Sequence, residues 1–461
     1  MRLSPQEIAV ALGAEVIAEG AAGSPRRVVI DSMQAGPGDL FFGLRGERRD
    51  GGEFAPAAID GGAWGVVVSP EWRSSFVAHR DTKDERRTWV FVVEDPLAGM
   101  QALARAWRRA LGADVVGITG SVGKTSVKDI ARTLLPGRVH ANRENLNTEI
   151  GLPLTILEAP EETETLVLEM AMRGKGQIAE LAAIAEPEVA VITNVGPVHV
   201  ELLGSVEAIA AAKAEILDDL PPDGTAVAPV EAGELEPHLA RAPKLLRFGS
   251  GGDVDAVEVK VGEGVTEALV TTPAGSQRFH FPFSEAHNLS NALAAIAAGV
   301  AACADLGGMA DRAAGIGFSS FRGERLEFPG GIVLVNDCYN ANPVSMRAAL
   351  DHLASLPAPR AVAILGEMGE LGPSSAGYHR EVGEHARAAG VDFVIGVGLP
   401  ARDYDPDELV ADPGEAAELL AARLEPGDAV LVKGSRSAGL EAVAQTLAAI
   451  IDGEAGRGGR A

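Results

Sequence analysis

A chain of 461 residues is long for a single hydrophobic core and predicts two to four domains, and its 46% hydrophobic and 23% charged residues fit a soluble globular protein. Acidic residues outnumber basic ones by 65 to 40, and a net charge of −25 argues against a general grip on nucleic acid, which needs a cationic face. No apolar run is long enough for membrane insertion, Glu7, Glu15 and Glu19 interrupt what would be a signal peptide, and Cys303 and Cys338 are too few for a disulfide framework and too far apart for a metal pair, so a cytoplasmic location is expected.

In chain order, the opening hundred residues read as a small mixed unit with VVIDSM, DLFFGL and WGVVVSP as strands. From about residue 113, nearly continuous apolar runs alternate with stretches of helical spacing. DVVGIT (114–119), TLVLEM (165–170) and EVAVITNV (188–195) have the pattern of buried parallel strands, and GQIAELAAIA and SVEAIAAAKAEILDDL that of helices. The rhythm breaks at about 221–280, where turn residues separate DAVEVKV and EALVTTP, which read as antiparallel strands. Helix returns at HNLSNALAAIAAGVAACADL. A second α/β block begins near residue 317, with IVLVND, AVAILGE, DFVIGVG and DAVLVKG as strands, and the tail GEAGRGGRA is expected to be disordered. The expected fold class is α/β in three domains: a smaller mixed unit over 1–112, a central phosphate-loop domain on a mostly parallel sheet over 113–316, and a Rossmann-like unit over 317–461.

The strongest local signal is GITGSVGKTS (117–126), directly after a predicted strand and opening a helix. Gly120 and Gly123 let the backbone wrap phosphates, and the helix N-terminus offers free N–H groups and a positive dipole end. Ser121, Val122 and Ser126 complete the loop. Lys124 would reach the β- and γ-phosphates and the Thr125 hydroxyl would ligate Mg²⁺. The spacing is a shortened GxxGK[ST], and the plain alternative is an ordinary glycine turn.

Glu169 ends a predicted buried strand, where a carboxylate needs a partner. It is either a Mg²⁺ ligand beside Thr125 or a surface residue just past the strand end. His199, in NVGPVHVE, also follows a strand's carboxyl end, where ligands bind in open α/β sheets, although a lone histidine is more often structural. Lys213 sits in an alanine-rich helical run, and the default for such a lysine is a solvated or snorkelling side chain.

Taken together, ten segments in register resemble the Mur ligase family over nearly the whole chain. They are DSMQAGPGDLFFGLRGERRDGG, TGSVGKTSVKD, ENLNTEIGLPLTIL, LEMAMRGKGQIAEL, ITNVGPVHVELLGS, AKAEI, HNLSNALAA, NDCYNANPVSM, LGEMGELG and KGSRS. The resemblance implies an ATP-dependent carboxylate–amine ligase of cytoplasmic peptidoglycan precursor synthesis. NDCYNANPVSM points to the member whose substrates are UDP-N-acetylmuramoyl-tripeptide and D-alanyl-D-alanine, and a monomer is expected.

The same resemblance implies roles for particular residues. Lys213 would carry a CO₂-derived carbamate and hold a second Mg²⁺ with His199, while Thr125 and Glu169 hold the first. Asn288 and Asn291 would contact adenine, and Asp337 and Arg322 the ribose and phosphates, with Arg325 a rival for Arg322. Asn340, Asn342 and Ser345 fall on the dipeptide side, and Lys433 and Arg436 would bind anionic substrate groups. Asn145, Asn147 and Thr148 belong to the substrate-binding ENLNTE segment, and Asp31, Ser32, Gly46 and Asp50 to the part that would hold the uridine nucleotide.

Three positions depart from the family pattern: Met33 replaces an arginine, Gly52 a histidine and Ala171 a glycine. Closure of the C-terminal block over the central one predicts a hinge near 312–325. The rival readings are a sister ligase acting on another amino acid or on folate, a generic phosphate-loop ATPase or kinase, and a silent nucleotide-binding scaffold.

Overall fold

The computed structural model describes residues 1–77, 88–143, 145–198 and 200–458. Its first sheet has five strands in the order Glu15–Ala18, Trp89–Val92, Gly65–Val68, Asp39–Phe42 and Arg27–Val29. All pair in parallel except the first, which runs antiparallel at the edge. Trp64, Trp89 and Phe91 stack on one another within this layer, with ring centroids 5.9 to 6.3 Å apart.

The helix Pro96–Leu111 joins this layer to the next. Asp95 caps its start, and Met100, Leu103, Ala104 and Trp107 form its buried stripe. That stripe belongs to one continuous core with Phe91 and Trp89 of the first sheet and Leu152, Ile156 and Leu168 beyond it. Trp107 also donates its indole N–H to the Ala159 carbonyl at 3.2 Å.

The central sheet has six strands, all parallel, ordered Lys244–Phe248, Thr225–Pro229, Val189–Ile192, Asp114–Thr119, Thr165–Glu169 and Val139–Ala141. The chain leaves the middle strand, Asp114–Thr119, through helix Lys124–Leu134 and returns at the far edge. Its carboxyl end is therefore a switch point with a crevice beside it. The predicted antiparallel break at 221–280 starts later than the sequence suggests. Thr225–Pro229 and Lys244–Phe248 extend the parallel sheet, and only Asp255–Gly262, Val265–Thr272 and Gly275–Phe281 form the antiparallel one. Lys244–Phe248 carries Lys244 and Arg247 among its five residues, and Thr225–Pro229 follows directly on the turn PPDG, so the polar and turn residues mask their pattern.

The last sheet has six strands in the order Glu324–Phe328, Ile332–Asn336, Ala429–Lys433, Ala361–Leu365, Phe393–Val397 and Glu408–Val410. The first pair is antiparallel and the rest parallel. The final helix runs to Gly458, so the expectation of a disordered tail fails for 453–458, and 459–461 lie outside the described residues. The alanine-rich run before it nucleates the helix, and Gly453, Gly456 and Gly458 each then cost it about 1 kcal/mol relative to alanine. Among the described residues no helix is long and apolar enough to cross a membrane.

Candidate active site

A cavity of 1990 Å³ opens between the central and last sheets. Its floor is the loop between strand Asp114–Thr119 and helix Lys124–Leu134. A Cβ on Gly120 would meet the Thr193 hydroxyl at 1.8 Å, and one on Gly123, which sits at φ +81°, would meet Asn291 Oδ1 at 2.4 Å. Only glycine allows so close an approach. The loop is tied to the neighbouring strand's end: the Val122 N–H donates to Asn194 Oδ1 at 2.9 Å, and the Ser121 hydroxyl both donates to the Gly196 carbonyl and accepts its N–H. The Lys124 ammonium folds back onto the Gly120 carbonyl at 2.8 Å. Burial, more than the nearby Arg322, pushes it below its ordinary value, against the pull of Glu169.

Glu169 is 2% exposed, so the alternative of a surface residue past the strand end is excluded. Its Oε2 accepts the Thr125 hydroxyl at 2.7 Å and its Oε1 the Asn147 amide at 2.8 Å. Asn145, Asn147, Thr148 and Ser126 line the same cavity. His199 lies outside the described residues.

Lys213, the last residue of helix Val206–Lys213, overturns its default reading as a solvated side chain, because it is 2% exposed. It is not among the residues that line the cavity but lies within electrostatic reach of Lys124, which is. Burial pushes its ammonium well below the ordinary lysine value, and the Lys124 charge pushes the same way. Among the described residues no carboxylate pairs with it, and a cation so placed favours its neutral amine.

Against the loop itself, Asn288 and Asn291 come from helix Ala286–Ala301. Asn291 donates to Asn288 Oδ1 and Asn288 to Glu285, both at 3.3 Å. Just before the last sheet, Arg322 stacks on Tyr339 with its guanidinium carbon 4.0 Å from the ring centroid, and its Nε is buried with no hydrogen-bond partner among the described residues. Arg325 is elsewhere, paired on the surface with Glu263 at 3.2 Å and Glu327 at 3.3 Å. The cavity therefore takes Arg322, three residues before its rival.

Lys433 is buried, and its ammonium lies 2.6 Å from Asp337 and 3.0 Å from the Asn340 carbonyl, so its charge is already matched. Arg436 lies over Phe321 and Tyr339, 6.0 and 5.9 Å from their centroids. Asn342 and Ser345 line the cavity and also form the capping box that starts helix Pro343–Ser355.

The first-sheet residues are not brought here. Asp31 caps the turn Ser32–Gln34, Asp50 caps Gly51–Phe54, Gly46 donates to the Arg49 carbonyl, and Met33 is 94% exposed. Three cavity or near-cavity groups had no place in the sequence reading: Thr193 and Asn194, just past strand Val189–Ile192, and Asn142, in the loop after Val139–Ala141. The signal available for them was polar residues directly after short apolar runs.

Which groups fit this geometry can be tested on the donor set. A glycine cradle at a helix N-terminus, a lysine over it, and a hydroxyl beside a fixed carboxylate suit a nucleotide phosphate with a divalent cation.

The sequence matches the family description "Mur ligase middle domain" over residues 118–299 and "Mur ligase, glutamate ligase domain" over 322–436. It is 37% identical to the UDP-N-acetylmuramoyl-tripeptide–D-alanyl-D-alanine ligase of Synechocystis, covering 92% of each chain. It is 33% identical to the enzyme of the same name from Escherichia coli, covering 91% of this chain and 93% of that one. Among solved structures it superposes on MurF from Acinetobacter baumannii with a TM-score of 0.87 at 27% identity, covering 97% of this chain and 99% of that one. It also superposes on the MurF ligase from Thermotoga maritima in complex with ADP, with a TM-score of 0.81 at 30% identity, covering 93% and 98%. With both family descriptions matched and the sequence likeness running over almost the full length of these relatives, the chain belongs to the Mur ligase family.

Proposed function

We propose that this protein joins D-alanyl-D-alanine to UDP-N-acetylmuramoyl-tripeptide at the expense of ATP, as the names of its full-length relatives state for them. The observation that carries the reading is one cleft holding both a phosphate cradle with Lys124, Thr125 and Glu169 and the Asn340–Ser345 segment of the last sheet. A generic ATPase has no need of the second half.

In this reading the stretch 1–112, through Asp31, Ser32, Gly46 and Asp50, receives the uridine nucleotide. The stretch 113–316 binds ATP, with Asn288 and Asn291 at the base. The stretch 317–461 brings the dipeptide through Asn340, Asn342 and Ser345, with Arg436 toward anionic groups. Asn145 and Thr148 face the peptide end of the first substrate.

The substrate carboxylate oxygen attacks the γ-phosphorus while the bond to ADP breaks, giving an acyl phosphate. Lys124 and Arg322 lower the cost of the charge that spreads over the transferring phosphoryl group. The dipeptide amine then attacks the acyl carbon, loses a proton, and phosphate leaves. Closure of the cleft walls keeps water from the acyl phosphate.

Thr125 and Glu169 would hold one Mg²⁺, and His199 with a carbamylated Lys213 a second; the ions supply charge neutralisation on the phosphates. The neutral amine favoured at Lys213 is the form that adds to CO₂. Its nitrogen bonds to the carbon and releases a proton, and the product is an anion where a cation was costly.

Phosphate release from ATP, with the two substrates added separately and together, tests the assignment. Release only with both, yielding the pentapeptide product, is expected. Release indifferent to both would instead identify a general ATPase.

A further inference from the structure

That mechanism uses Thr125 and Glu169 but leaves unexplained an ion pair on the next turn of the same helix. Lys128 and Asp129 are each 2% exposed, and the ammonium lies 3.2 Å from the carboxylate. Removing two charges from water is expensive, and apolar residues of similar volume would often serve stability as well or better. What distinguishes this pair is that each member has a second partner on a different segment.

Toward the phosphate site, the Lys128 ammonium donates to the Asn142 carbonyl at 3.0 Å. The Asn142 side chain grips the backbone of Glu169 on both sides. Its Oδ1 accepts the Glu169 N–H at 2.6 Å and its Nδ2 donates to the Glu169 carbonyl at 3.3 Å. Away from the site, Asp129 Oδ2 accepts both the backbone N–H of Ser319, at 2.8 Å, and its hydroxyl, at 2.7 Å. Ser319 lies in the crossover to the last sheet, three residues before Arg322. Beyond it, Phe321 at φ +63° and Gly323 at φ +72° turn the chain.

We infer that Lys128 and Asp129 are positioning residues that couple the crossover segment to Glu169. Ser319 is the near anchor of the crossover, and the chain is free to turn only after it. The seating of the C-terminal sheet, transmitted through Asp129, Lys128 and Asn142, sets where the Glu169 carboxylate is held. The inference rests on the assignment of Glu169 as a Mg²⁺ ligand.

The test uses the full chain and reads ADP binding by calorimetry as Mg²⁺ is varied, which requires no turnover. Lys128→Met should raise the Mg²⁺ needed for half-maximal ADP affinity about ten-fold, as expected for losing a charged hydrogen bond, and Ser319→Ala about three-fold, since the Ser319 N–H still holds Asp129 once the hydroxyl is gone. Ser319→Thr, which keeps the hydroxyl, should return the wild-type value. A Ser319→Ala variant with an unchanged Mg²⁺ requirement, or a defect that threonine does not relieve, would overturn the coupling. Should Lys128→Met fail to melt cooperatively, the serine pair decides alone. Wild-type ADP binding that ignores Mg²⁺ would remove the metal assignment and this inference with it, an outcome visible before any variant is made.

Discussion

The Thr125 hydroxyl donates to Glu169 Oε2 at 2.7 Å while Asn147 donates to Oε1 at 2.8 Å, so the carboxylate is held at both oxygens on the floor of the cleft. Glu169→Gln keeps the size and removes the charge. It should lower turnover by about 10²–10³-fold, the scale of losing one preorganised electrostatic contact. Steady-state phosphate release checks this, and an unaltered melting temperature would separate chemistry from folding.

Arg322 and Arg325 are separated by three residues but sit in different environments. Arg322 lies over Tyr339 at 4.0 Å with its Nε unsatisfied among the described residues, while Arg325 is taken up by Glu263 and Glu327 on the surface. Arg322→Ala should raise KM for ATP at least about ten-fold, because a guanidinium facing the cleft can give a phosphate two charge-assisted hydrogen bonds. Arg325→Ala should stay within about two-fold, as expected for exposed pairs. The reverse ranking would place the nucleotide on the other side of strand Glu324–Phe328.

Those two arginines mark where the sequence stops being legible. Residue type and spacing were enough to place the phosphate loop, because its chemistry is local: glycines, a lysine and a hydroxyl within a few residues. The choice between arginines depends on packing against Tyr339, seventeen positions beyond Arg322. Lys213 was hidden for the same reason, since an alanine-rich run looks alike whether it faces solvent or core. The edge strand Glu324–Phe328 carries Glu324, Arg325 and Glu327 among its five residues, so only Leu326 and Phe328 are left to mark its inward face. Glu15–Ala18 is only four residues long, with its first two exposed.

Lys213 gives a stability signature that does not depend on activity. Its folded pKa is depressed by burial, so the unfolded chain binds the proton more tightly. The folded state is therefore penalised in full below the depressed value, and the penalty fades as pH rises toward the unfolded value, about 10.4. In CO₂-free buffer, Lys213→Met should melt higher than wild type at neutral pH, with the advantage shrinking as pH rises. Added bicarbonate should raise the melting temperature of wild type alone, because carbamylation replaces the isolated cation. A variant that melts lower throughout would mean that the ammonium is stabilised where it sits.

Asn342 serves the fold and, in the proposed function, the substrate, and one substitution separates the two. Its side-chain oxygen accepts the Ser345 N–H at 3.0 Å, while the Ser345 hydroxyl accepts the Asn342 N–H at 3.2 Å. Asn342→Ala removes the cap and should cost about 1 kcal/mol of stability along with any substrate contact. Asn342→Asp keeps an oxygen for the cap and places a negative charge at a helix N-terminus, where it is favourable. Its melting temperature should match or exceed that of wild type. It has lost the amide donor, however, and would face the carboxylate end of the incoming dipeptide with a like charge. KM for D-alanyl-D-alanine should then rise about ten-fold or more while KM for ATP changes little, since like charges at close range are costly in a partly buried cleft. Equal KM values in Asn342→Asp and wild type would leave Asn342 as a helix cap alone and move dipeptide recognition to Asn340 and Arg436.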